Sequence, residues 1–281
     1  MLIFNKKADL ASFLSAYKNN KSSIGFVPTM GALHKGHLSL LEMSAKDNDI
    51  TVISIFVNPT QFNNPEDLEK YPRTLEADEA KIKTVSDKIV IFAPSVDEMY
   101  DGNTISGHFS FDGLEFQMEG SHRPGHFDGV GTIVKKLFEI VTPTNAYFGE
   151  KDFQQLQIVK KMTEKEGMPI TIVGCPISRE ANGLAMSSRN ERLTPEEKDK
   201  AAFIYKTLQE ARQLFANESI ASVKKHVYDA FSTHPEFKMD YFEIAAEDNL
   251  VPANTKEDKA YRGFIAVFLS NVRLIDNISL N

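Results

Sequence analysis

Hydrophobic positions in the first two-thirds of the chain fall into short dense runs separated by longer amphipathic stretches. The runs Ile24–Val27, Ile50–Val57, Ile89–Phe92, Ala146–Phe148 and Ile170–Val173 are rich in β-branched and aromatic residues. Runs of this kind predict strands covered on both faces of a sheet. Between them, His37–Lys46, Leu75–Thr84, Val130–Val141 and Gln154–Glu166 repeat at helical spacing. In the third, Val130, Ile133, Val134, Leu137, Phe138 and Val141 make one apolar stripe. Segment Ser106–Phe111 reads as a small hairpin insertion.

Strand–helix alternation points to an α/β fold, a doubly wound (Rossmann-like) parallel sheet with right-handed crossovers. The pattern changes after Pro176. Thr194-Pro195-Glu196-Glu197 is a helix start, with Thr as cap, Pro at the first position and acids in the first turn. That helix runs to about Phe215, a second covers Ile220–Thr233, and strand patterns follow at Met239–Ala246 and Tyr261–Phe268. Val272–Ile278 reads as an extension of the last strand. The chain thus divides into a Rossmann-like domain, 1–176, and a smaller C-terminal α+β domain, 177–281, expected to act as a lid.

Ligands of open α/β sheets bind beyond the carboxyl ends of the strands. Four polar clusters follow predicted strand ends. The first is Met30-Gly31-Ala32-Leu33-His34-Lys35-Gly36-His37. Two histidines three apart share one face of a first helical turn, where free N–H groups already favour anions, and Gly36 leaves room for a flat ring. This suits a nucleoside triphosphate cut to release pyrophosphate. Taken alone, the pair also fits surface histidines or two metal ligands, although no nearby cysteine or acid completes a zinc set. The second cluster is Asn58-Pro59-Thr60-Gln61-Phe62, which by itself is also an ordinary turn. Gln61 offers a donor and an acceptor without charge. The third is Gly149-Glu150-Lys151-Asp152-Phe153-Gln154-Gln155, equally readable as a solvated helix start. There Lys151 can reach phosphate oxygens and Asp152 a ribose or a hydrated Mg²⁺. The fourth is Met186-Ser187-Ser188-Arg189, two hydroxyls and a guanidinium, uninformative as an isolated string.

Composition narrows the classes. At 281 residues, 42% of them hydrophobic and 25% charged, the chain is an ordinary globular protein with a real core. Its net charge of −7 argues against nucleic-acid binding, while leaving room for a local basic pocket. The single cysteine, Cys175, fits a reducing cytoplasm. No apolar run reaches the roughly 20 residues of a membrane span, and Met1–Lys7 lacks the apolar core of a signal peptide.

Together the clusters resemble a known family. Pro28–His37 is similar to the H-x-G-H signature of class I synthetases and nucleotidylyltransferases, and Met186–Arg189 to their Lys-Met-Ser-Lys-Ser loop with another basic residue. More narrowly, the chain resembles the pantothenate synthetase (pantoate–β-alanine ligase) family. The resemblance runs through Asn58–Phe62, Tyr71-Pro72-Arg73, Glu119–Phe127, Tyr147–Asp152 with Gln154-Gln155, Gly183–Asn190 and the ending Arg273-Leu274-Ile275-Asp276-Asn277. Asn63 stands where glycine is frequent and Ser178 where a valine meets the nucleotide through its backbone.

The resemblance implies ATP binding by Met30, Gly31, Ala32, Leu33, His34, Lys35, Gly36, His37, Gly149, Glu150, Lys151, Asp152, Ser178, Met186, Ser187, Ser188 and Arg189. It implies binding of the small substrates pantoate and β-alanine by Gln61, Gln155 and Met30, within the domain 1–176. The catalytic set is then His37, His34, Lys151, Ser187, Ser188 and Arg189, with His37 the proton donor. Mg²⁺ is expected to be carried by ATP without dedicated protein ligands, with Asp152 as a candidate contact. A cytoplasmic homodimer without nucleic-acid or membrane partners follows. The polar segment Phe62–Lys70 is the candidate for a loop that shields the intermediate from water. Two other readings stay open on the residues alone: an adenylyltransferase for a phosphorylated acceptor, and a nucleotide-binding regulator without turnover.

Overall fold

The computed structural model describes residues 1–63 and 65–281. Asn64, inside the proposed shielding segment, lies outside the described residues. Chain contacts divide the protein into two compact units. The first comprises Met1–Glu115, Glu119–Glu150 and Gln155–Pro176; the second comprises Phe116–Met118, Lys151–Gln154 and Ile177–Asn281.

The first unit is built on a parallel sheet of six strands: β1 (Leu2–Phe4), β2 (Ile24–Thr29), β3 (Ile50–Ile55), β4 (Val90–Phe92), β5 (Asn145–Gly149) and β6 (Thr171–Cys175). Among the described residues of the same stretch are the α-helices α1 (Lys7–Asn19), α2 (Lys35–Asp47), α3 (Pro65–Glu69), α4 (Leu75–Val85), α5 (Val96–Tyr100), α6 (Met118–His122), α7 (His126–Val141) and α8 (Phe153–Lys165). The sheet order is β1-β4-β3-β2-β5-β6. Adjacent positions of β2 point to opposite faces. Val27 packs with Leu40, Leu41 and Ile82 from α2 and α4, and Phe26 meets Phe138 of α7 edge-on at 6.2 Å. The sheet is therefore covered on both faces, as continuous apolar strands require.

Two expectations for this unit need correction. No strand forms at 106–111, because side chains take the backbone donors that a hairpin ladder would use. Gly107 N–H bonds Thr132 Oγ1, Phe109 N–H bonds Asp128 Oδ1 and Phe111 N–H bonds Glu115 Oε1. The added strand β1 is only three residues long, too short for a period to register.

The second unit holds α9 (Pro195–Phe215) and α10 (Ile220–Ser232) against an antiparallel sheet ordered β7-β8-β9. Its strands are β7 (Phe237–Ala246), β8 (Tyr261–Leu269) and β9 (Val272–Ser279). Ile204, Leu208, Val223 and Val227 from the helices share a core with Phe242, Ile265 and Leu274. The α9 start has the expected Thr194 cap, and it closes as a capping box: Glu197 N–H donates to Thr194 Oγ1, and Thr194 N–H to the Glu197 carboxylate. Val272–Ile278 does not extend the preceding strand. It folds back as β9, because Ser270, at φ 52°, reverses the chain and pairs Leu269 with Val272.

Candidate active site

From β2 the chain moves outward to β3 and β4 on one side, while β5 and β6 lie on the other. The carboxyl ends of β2 and β5 thus form the switch point at which an open sheet takes its ligand. Thr29 closes β2, its hydroxyl donating to Ser54 O at 2.7 Å and accepting from Gly31 N–H. Gly31 (φ 84°) and Ala32 (φ 49°) then turn through the left-handed region, which is costly for alanine. Asp78 of α4 stabilises that turn. Its buried carboxylate accepts from Ala32 N–H at 2.9 Å, Leu33 N–H at 2.7 Å and the Thr74 hydroxyl at 3.2 Å.

The chain enters α2 through a capping box made of two imidazoles. His34 is the N-cap; its Nδ1 accepts from Gly36 N–H at 3.1 Å, and His37 Nδ1 accepts from His34 N–H at 3.3 Å. The rings lie 4.1 Å apart, tilted by 36°. An accepting Nδ1 carries no proton, so the neutral rings hold theirs on Nε2. Both imidazoles thereby present an N–H donor beside the positive end of a helix dipole.

Gln61 ends a short turn, Pro59–Gln61, after β3. Its amide is oriented from both sides: Oε1 accepts from Asn58 Nδ2 at 3.2 Å and Nε2 reaches Met30 Sδ at 2.9 Å. Asn58, only 1% exposed, also donates to Gly129 O and accepts from the Tyr100 hydroxyl at 2.6 Å. Arg123 Nη2 and His126 Nδ1 both meet the Gln61 carbonyl, at 3.2 and 2.8 Å. His126 and Arg123 thus support the same turn. Gln155 stands half-buried in the first turn of α8. Gly149 ends β5, and a side chain there would meet only open space.

The second unit gathers the remaining sequence-predicted residues. Lys151 and Asp152 lie in the short turn Glu150–Asp152, with Lys151 Nζ 3.8 Å from the Asp152 carboxylate. Ser178 and Met186 face each other across a small hairpin, Met186 N–H donating to Ser178 O at 2.9 Å. Ser187 then caps the turn Ser188–Arg192, its hydroxyl accepting from Arg189 N–H at 3.2 Å. Asn190 is buried behind this loop and donates to Ala185 O. Among the described residues, no three His, Cys, Asp or Glu side chains are grouped to hold a metal ion. No helix of the described residues is long and apolar enough to cross a membrane.

Sequence reasoning passed over Asp78 as a support residue. Its signal was available: an acid four residues before the apolar Ile82, on the side of the predicted helix that both bury. A charged residue on an apolar face asks for a partner, but letters alone do not say that the partner is the backbone of Ala32 and Leu33.

A parallel doubly wound sheet with an imidazole-capped helix at its switch point defines a nucleotide-binding α/β protein of the H-x-G-H type. The profile of the family described as "Pantoate-beta-alanine ligase" matches residues 2–279. A pantothenate synthetase of Flavobacterium psychrophilum is 60% identical over 281 residues, covering all of both chains. One from Bacteroides fragilis is 47% identical over 279 residues, covering 99% of this chain and 98% of its own. The crystal structure of pantothenate synthetase from Thermus thermophilus superposes with a TM-score of 0.92 at 40% identity, covering 100% and 99% of the two chains. A Francisella tularensis pantoate–β-alanine ligase, complexed with β-γ ATP and β-alanine, gives a TM-score of 0.82 at 34% identity over 100% and 98%. The chain belongs to the pantoate–β-alanine ligase family.

Proposed function

We propose that this chain joins pantoate to β-alanine using ATP, releasing AMP and pyrophosphate through a pantoyl adenylate. The observation that carries the reading is the imidazole-capped start of α2 at the switch point, in a chain alike over its whole length to ligases named for this condensation. The Francisella neighbour, complexed with β-γ ATP and β-alanine, supports the same substrates here.

A carboxylate is a poor electrophile, so it is first activated. A pantoate carboxylate oxygen attacks the α-phosphorus, the bond from that phosphorus to the β-phosphate bridge breaks, and pyrophosphate leaves. The amine nitrogen of β-alanine then attacks the carboxyl carbon of the mixed anhydride and AMP departs. Negative charge grows on the bridging and terminal oxygens in the first step. His34 and His37, through Nε2–H, are assigned to that charge together with Lys151, Ser187, Ser188 and Arg189. His37 is the proton donor. Met30–His37, Gly149–Asp152, Ser178 and Met186–Arg189 bind ATP, while Gln61, Gln155 and Met30 bind pantoate and β-alanine. The fixed Gln61 amide suits a hydroxy acid, giving one donor and one acceptor without charge.

The amine must lose a proton, as an ammonium titrates near a pH of about 10. No side chain is assigned as base: either the pocket takes up the minor neutral amine, or the departing phosphate of the adenylate receives the proton. Mg²⁺ arrives with the triphosphate as part of that substrate, and the half-exposed Asp152 carboxylate is the group assigned to touch it. A homodimer acting in the cytoplasm is inferred from the superfamily resemblance and the single buried thiol.

The test is product stoichiometry. With ATP, pantoate and β-alanine, the chain is expected to form pantothenate, AMP and pyrophosphate in equal amounts. Release of ADP and phosphate instead would contradict the adenylate.

A further inference from the structure

Two adjacent residues of β9 form a buried polar cluster that the reaction above does not use. Asp276 is 5% exposed and Asn277 1%. Both Nη atoms of Arg179 donate to the Asp276 carboxylate, at 2.6 and 2.9 Å. The same guanidinium donates to Gly183 O at 3.1 Å and to Asn277 O at 3.4 Å, and lies 3.6 Å over the Tyr205 ring. Arg179 is bridged to Ala185 in the small hairpin that ends at Met186. One planar cation therefore ties both arms of the hairpin to β9.

Asn277 extends the cluster in another direction. Its Oδ1 accepts from Arg262 Nη1 at 2.7 Å, which fixes the amide so that Nδ2 donates to the Lys151 carbonyl at 2.9 Å. Arg262 is held in turn by Glu247 at 2.8 Å and lies 4.0 Å over the ring of Phe153, two residues past Lys151. Bonds from one strand thus end on the root of the Ser187–Arg189 loop and on the backbone of Lys151.

A buried ion pair is a poor way to gain stability, because apolar residues of similar size do as well or better. What apolar packing lacks is direction. A bidentate arginine–carboxylate pair and an amide with both ends engaged fix orientation. We propose that Arg179, Asp276 and Asn277 are positioning residues for adenylate formation, holding Lys151 and the Ser187–Arg189 loop in register from β9. This rests on the roles given above to Lys151 and that loop.

The test is a double-mutant cycle of Asn277→Asp and Lys151→Ala in the full chain, read as single-turnover, pantoate-dependent pyrophosphate release. Asn277→Asp keeps an acceptor for Arg262 and removes the donor to Lys151. It is expected to slow the step at least about 10-fold in the native background and less than about 2-fold beside Lys151→Ala, since coupled sites are not additive. Equal slowing in both backgrounds, or none in either, overturns the proposal. Lys151→Ala alone at the native rate would instead overturn the role of Lys151, a separate failure. Should Asn277→Asp not fold, Arg179→Lys keeps the charge without the planar fork. A rise of about 10-fold or more in KM for ATP, with KM for β-alanine unchanged, supports positioning. Unchanged constants, or equal changes in both, in a protein of native circular dichroism count against it.

Discussion

At positions 34 and 37 each imidazole commits Nδ1 to the backbone of its own helix start, which puts the proton of the neutral ring on Nε2. His34 caps the helix, and the chemical role proposed for it separates from the capping one by substitution. Asparagine caps helices well but lacks a donor in the place of Nε2–H, whereas alanine lacks both and loses about 1 kcal/mol of helix stability. His34→Asn is expected to keep the melting temperature and lose roughly 10²–10³ in the rate of pyrophosphate release; His37→Ala is expected to lose as much in that rate. Native burst rates in these variants would remove the imidazoles from the chemistry. Both histidines were legible in the sequence by spacing alone. Their tautomer was not, because it depends on which backbone N–H meets which ring nitrogen.

Cys175, at the end of β6, is buried, and its thiol is pushed up to about 11, first by burial and then by the Glu150 and Asp47 carboxylates. The sign follows from linkage. Above the ordinary value of 9.0 the unfolded thiol ionises while the folded one stays protonated. The unfolded state then binds fewer protons, so this contribution to stability is present below 9.0 and lost as the pH rises through about 11. Alkylation by iodoacetamide should accelerate near pH 9.0 in urea but only near pH 11 in the folded protein. Coincident profiles would show that the thiol is not shielded.

Among the elements, α4 is the one whose function lies away from its own sequence neighbourhood. Its apolar face was readable, and so was its start near Leu75. Its task, holding Ala32 in a left-handed turn through Asp78, joins residues 45 or more positions apart, and no local pattern carries that. Asp78→Asn replaces one acceptor by a donor that faces a backbone N–H. A loss of about 1–3 kcal/mol in urea unfolding is expected, because a buried donor is left unsatisfied. The rate of adenylate formation should fall with it, since the turn leads directly into His34. A stability loss with the native rate per folded molecule would make Asp78 an anchor of the fold only. The segment 106–111 was misread for a related reason. Its aromatic alternation looks like a strand, yet Thr132 and Asp128 on α7 take its N–H groups. A ladder partner and a side-chain partner look the same from the sequence of one segment.

For the molecule as a whole, the alternation of runs and stripes was enough to predict a parallel doubly wound sheet, and the order of four polar clusters was enough to place the chain in its family. Register and strand order were not legible, because they depend on which crossover packs on which face. The ending Arg273–Asn277 was recognisable as part of the family resemblance but silent about its task until Arg179 and Lys151 were found bonded to it. A net charge of −7 sets the background against which Lys151 and Arg189 are proposed to meet a polyanion.

Pantoate is expected to be activated on ATP before any amine is involved. Exchange of labelled pyrophosphate into ATP, measured without β-alanine, tests it most directly. Exchange that appears on adding pantoate and is absent without it is the predicted result. Pantothenate formation with no pantoate-dependent exchange, or exchange that requires β-alanine, would rule out a free-standing adenylation step.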